Sequence, residues 1–215
     1  MIKTEEDIDR YIKENNISNF YVYLTYINYG NILSLAQYSL QEAYLLTNNR
    51  PYKVSGAIKE MSKVVLDAIK NVTAISLNIS ETDSFYTENL QLKLHEEDGH
   101  MWISSNILPD WAAYILKKGD KLQDDEVPDV SEEEKGRLCN VLKPPIEKFK
   151  EEMGKVRERY ISDSIDKLKI KNKGYAGLYE ETQRLSKAHN KFKTLYSEPV
   201  KKVDKKFTSI FNKIV

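Results

Sequence analysis

A single cysteine, Cys139, stands in 215 residues, so no disulfide can close within the chain, and the reducing cytosol is the expected compartment. Glycine and proline are sparse, at 8 and 6 residues, and no tract rich in Pro, Gly or Ser interrupts the sequence. With 40% apolar and 31% charged residues, the composition is that of a folded chain and not a disordered one. The longest apolar stretches, such as 20–24 and 111–116, are far too short to cross a bilayer. The opening residues turn acidic at once, at Glu5-Glu6-Asp7, without the apolar core of a secretory signal. The glycines are scattered and form neither a GxGxxG nor a GxxxxGK[ST] loop, which removes the usual phosphate cradles. Arginine is scarce too, 6 against 27 lysines. Together with abundant Asn, Ile and Tyr, this is the bias of an AT-rich coding sequence. It points to a low-GC bacterium or mobile element, and accounts for 14 tyrosines without invoking a binding surface.

What is present in excess is charge, and it is divided. Residues 1–135 carry 13 basic and 23 acidic side chains, a net charge of −10, while residues 136–215 carry 20 and 10, a net of +10. Like charges within each part repel and opposite ones across the parts attract. Either the two parts face each other, or the basic part faces an acidic partner.

Thr4-Glu5-Glu6-Asp7 has the form of a helix start with Thr4 as cap, Ile8, Tyr11 and Ile12 sharing a face and Asn15-Asn16 ending it. The aromatic and β-branched run 20–27 predicts a strand, followed by a turn at 29–31. From Ile32 a 3/4 spacing of apolar residues predicts a helix to Leu46. A second apolar stripe predicts a helix over 54–70, ended by Asn71, and the alternation over 73–79 predicts another strand. Residues 90–95 and 100–103 flank Glu96-Glu97-Asp98-Gly99 as a hairpin, and Pro109-Asp110 introduces a short helix over 111–117. The polar, aperiodic stretch 118–131 reads as a linker. Ser131 through Glu134 then opens a helix expected to break at Pro144-Pro145. Beyond it, stripes from Ile146 to Leu168, Leu185 to Leu195 and Val203 to Ile214 suit a helical bundle or long helical hairpin. The expected fold is α+β: an acidic α+β region with a small antiparallel sheet over 1–117, an acidic linker over 118–131, and a basic all-helical region over 132–215.

His95 and His100 bracket three carboxylates at the hairpin turn, the constellation closest to a metal site, yet lacking a third ligand of known position. An acidic, solvated turn flanked by ordinary strand residues is the preferred explanation. Cys139 and His189 share no nucleophile signature, and Cys139 is read as an inert thiol near a helix seam. The acidic runs 124–126 and 132–134 sit where solvation and a helix N-terminus favour acids. No catalytic residue, cofactor or metal ligand is therefore assigned. The lysines interleaved with tyrosines between 167 and 206 read first as ordinary solvated or intramolecularly paired helix faces, then as a surface for an acidic protein, and last as one tracking phosphates, since lysine offers point charge and not the fork that reads guanine. The candidate partner-binding residues are Lys187, Lys191, Lys193, Lys201, Lys202, Lys205 and Lys206. The function expected is that of a non-enzymatic protein-binding factor, regulatory or toxin-neutralising. The alternatives are a sequence-tolerant nucleic-acid binder and an enzyme with its site near the His95–His100 hairpin.

Overall fold

The computed structural model describes residues 2, 4–46, 51–80, 90–97 and 100–171. Among them are five α-helices and one two-stranded antiparallel sheet: α1 (Glu5–Glu14), α2 (Asn19–Leu46), α3 (Pro51–Ser76), β1 (Gln91–Glu97), β2 (His100–Ile107), α4 (Asp110–Lys121) and α5 (Glu132–Lys171). The fold is thus mostly helical with a small sheet. The helical bundle expected beyond residue 171 lies outside the described residues.

At α1 the sequence acts as its local chemistry dictates. The Thr4 hydroxyl accepts from the Asp7 backbone N–H and the Asp7 carboxylate accepts from that of Thr4, both at 3.2 Å. The helix closes at Asn16, whose φ of 52° is left-handed, with Ile17 N–H donating to Ile12 C=O at 3.0 Å. Tyr11 donates to Asn78 C=O, tying α1 to the far end of α3.

Two predicted strands are helix instead. Residues 20–27 belong to α2, which runs unbroken through the turn expected at 29–31. The reason is burial on every side. Phe20, Val22, Tyr23, Leu24, Thr25, Ile27, Asn28 and Tyr29 are all buried, because α3, α4, α5 and the hairpin pack around α2. A helix enclosed this way shows no polar face, and its apolar run cannot be distinguished by period from a buried strand. Residues 73–76 likewise extend α3, whose buried Val65, Ala68, Ile69, Val72, Thr73 and Ser76 keep the helical spacing past Asn71. The stop is Asn78, at φ 52°, with Ile79 N–H donating to Ala74 C=O at 2.8 Å.

The hairpin forms as predicted, but its ladder runs on through Glu96 opposite Met101 and Glu97 opposite His100, residues expected to belong to the turn or its flank. Its inner face docks on α3 through Ser62, which accepts from Leu92 N–H at 3.1 Å and donates to Ile58 C=O at 2.7 Å. α4 is one turn longer than predicted and takes up the first residues of 118–131. Within the rest of that stretch Val127 is buried and Asn19 donates to Glu126 C=O at 3.1 Å.

α5 is not broken at Pro144-Pro145. Neither proline can donate to the carbonyls of Asn140 and Val141, but both of those residues are exposed and water can serve them. The seam Leu138, Leu142, Ile146, Phe149, Met153 and Val156 is buried at heptad-like spacing against α2 and α3, and holds the helix through the interruption. α5 thereby shares one core with α1 to α4.

Candidate functional site between the second and fifth helices

Of the residues singled out in the sequence, Lys187, Lys191, Lys193, Lys201, Lys202, Lys205 and Lys206 lie outside the described residues, as does His189. Cys139 is half-buried, outside any disulfide, and packed against the core. The two hairpin histidines are not opposite each other: His95 pairs with Trp102, and His100 with Glu97. Cross-strand partners share a face, so His95 and His100 are diagonal neighbours. The His95 imidazole is bonded through Nε2 to the Ser104 hydroxyl, on the diagonal leading away from the turn. Among the described residues no group of three or more His, Cys, Asp or Glu side chains is placed to hold a metal ion.

Several ionisable side chains instead fasten helices to one another. Ser131 caps α5 by accepting from Glu134 N–H at 3.1 Å. The Glu134 carboxylate reaches along its own helix and across to α2. It accepts from Arg137 at 2.6 and 2.7 Å and from the Tyr21 hydroxyl of α2 at 2.5 Å. The Arg137 fork, then the Tyr21 hydroxyl, hold this carboxyl down at about 2. On the other side of α2, Lys118 of α4 donates to Asp9 of α1 at 2.6 Å, and this bond, followed by that from Tyr114, lowers the Asp9 carboxyl below its ordinary range. Tyr26 donates to Asp120 at 3.1 Å across the α2–α4 contact.

Midway along the α2–α5 contact the packing leaves a pocket of about 160 Å³. Its α2 wall is Asn28, Asn31, Ile32 and Leu35, one stripe at i, i+3, i+4 and i+7; its α5 wall is Ile146, Phe149 and Lys150, at i, i+3 and i+4. The aliphatic and Phe149 side chains make an apolar body, and no acidic side chain lines it. Asn28 is only 1% exposed, yet its side-chain nitrogen finds no hydrogen-bond partner among the described residues. A buried donor left so costs about 1–3 kcal/mol. Native proteins keep few such groups, and each calls for a reason.

Asn28 and Asn31 were missed in the sequence because the stretch around them was read as strand and turn. The signal was there: two amides at i, i+3 interrupt an apolar helical stripe continued by Ile32 and Leu35.

No known protein family matches this chain, and neither the curated proteins nor the solved structures compared with it yield a similar one.

Proposed function

We propose that this chain is a non-enzymatic protein-binding factor, regulatory or toxin-neutralising in kind, whose lysine-rich C-terminal stretch docks an acidic protein. The observation that carries this reading is the charge division, −10 over residues 1–135 and +10 over 136–215. The geometry of α5 supports it. Lys143 pairs with Glu147, Lys148 with Glu152 and Lys155 with Glu151, all along the same helix, whereas Arg159 reaches across to Glu60 of the acidic part. Pairs internal to a helix leave the fields of the two parts in place, and complementary fields steer association more than they strengthen the final complex.

The test is to recover partners of the tagged full chain from its native host. Their association is then measured against ionic strength, with wild type and a variant changing Lys201, Lys202, Lys205 and Lys206 to Gln. An acidic protein should associate more slowly with salt and with the variant, its dissociation changing little. A nucleic-acid partner would instead lose affinity log-linearly with salt, by a slope of about 0.9 per phosphate neutralised on duplex DNA. That outcome, or a protein partner indifferent to both changes, would displace the proposal.

A further inference from the structure

From the outer edge of the hairpin we infer that the chain pairs weakly with a second copy of itself, β2 against β2, to make one four-stranded antiparallel sheet. In an antiparallel pair, residues whose backbone groups bond the partner strand alternate with residues whose groups point away from it. Leu92 settles which are which. Its N–H leaves the ladder to reach Ser62 of α3, and its cross-strand partner is Ser105. Ser105 therefore directs its own backbone groups outward, and so, at two-residue steps, do Ile103 and Met101. On β1 the outer edge meets α3 at Leu92. On β2, among the described residues, no backbone–backbone hydrogen bond joins Met101, Ile103 or Ser105 to anything outside the ladder. Proteins guard such edges with lysine, other charges or proline. β1 carries Lys93, Glu96 and Glu97, whereas β2 (His100–Ile107) has no Asp, Glu, Lys, Arg or Pro. It ends at Ile107, which is 47% exposed, more than any other large apolar side chain among the described residues.

Symmetry selects the occupant. In a two-fold pair the strand meets its own copy reversed, so like charges on it would approach one another. An uncharged strand removes that obstacle. Centring the two-fold on Ile103 sets Ile103 opposite its copy, Met101 opposite Ser105 and Trp102 opposite Ser104, with no ionised side chain in the register. The outward groups of residues 101, 103 and 105 then exchange their N–H···O=C bonds with the other copy. The register shift beside Gln91 and Leu92 distorts the far end of β2 and confines the pairing to 101–105. So short a contact falls below the roughly 1,200 Å² of a stable interface, and the dimer belongs to high protein concentration.

The experiment follows the full chain by sedimentation and by backbone amide exchange over a concentration series reaching about 1 mM, where weak pairs form. The mass should rise from one chain toward two. The amides of Met101, Ile103 and Ser105 should exchange at least about twofold more slowly at the top of the series, half of the molecules then being paired. Those of Trp102 and Ser104, already bonded in the ladder, should change much less. Ser105→Pro deletes an outward donor and no ladder bond, a placement that proline tolerates on an edge strand. It should weaken self-association by about tenfold, since symmetry removes the bond twice. Should that variant fail to fold, the alternating protection in the wild type decides alone. A chain that stays single throughout the series would overturn the inference and leave the edge to a segment of another protein. So would a dimer without the 101, 103, 105 alternation, or one that folded Ser105→Pro forms as tightly.

Discussion

Gly119 shows how a single residue can set the distance between two helices. A Cβ added there would overlap the Cβ and Cγ of Tyr26, and since the Cβ is fixed to the backbone no rotamer change relieves the clash; α4 lies as close to α2 as it does because residue 119 has no side chain. Gly119→Ala should therefore destabilise the protein, although alanine is favoured over glycine inside a helix by about 1 kcal/mol. Overpacking of this kind costs about 1–3 kcal/mol, and a lowered urea midpoint at unchanged slope would register it. At Glu134 the effect is electrostatic and depends on pH. Its carboxyl titrates at about 2 in the folded chain, below its ordinary value, so the stability it contributes is complete above the unfolded value and lost as pH falls towards 2. Glu134→Gln should melt earlier than wild type at pH 7, the gap narrowing below about pH 4.5 and closing near pH 2. A gap constant with pH would assign the effect to shape and not to charge.

Among the elements, those with polar boundaries were legible in the sequence and those without were not. α1 announced itself through Thr4, Asp7 and Asn16, and the hairpin through the strand-like runs on either side of Glu96-Glu97-Asp98-Gly99. The second half of α2, from Ile32 to Leu46, was legible by its 3/4 spacing; the first half was not, because the cues separating helix from strand are a solvent face and a period, and enclosure by four neighbours removes both. The same blindness hid Asn28, whose significance depends on being inside a helix and against α5. α5 misled differently. Two prolines are a local signal; the stripe from Ile146 onward was legible, but that Leu138 and Leu142 join it across the prolines as one buried seam shows only against α2 and α3. The hairpin has its own point of attachment, which can be tested alone. Ser62→Ala removes the acceptor for the buried Leu92 N–H, and an orphaned buried donor costs about 1–3 kcal/mol. Amide exchange across β1 and β2 should quicken while that of α2 is much less affected, since the hairpin can open without the helical core. Uniform quickening throughout would mean that the hairpin and core open as one unit.

Over the whole molecule, the charge division in the sequence and the packing in the fold follow different lines. The acidic part and α5 supply a single core, with Leu138, Leu142, Ile146, Phe149, Met153 and Val156 buried alongside residues of α1 to α4. A fragment ending at residue 131 should accordingly fail to give a cooperative thermal transition, because it strips cover from both α2 and α3. A sharp transition from that fragment would show the acidic region to be self-sufficient.

The same arrangement governs how the protein is made. Tyr21 and its partner Glu134 are 113 residues apart. At the usual pace of synthesis, 5–20 residues per second, α2 waits about 6–23 s for the helix that covers one of its sides. Throughout that interval the nascent chain displays Ile32 and Leu35 to whatever surrounds the ribosome. A premature stop before α5 thus releases an adhesive product, a natural client for holding chaperones and proteases.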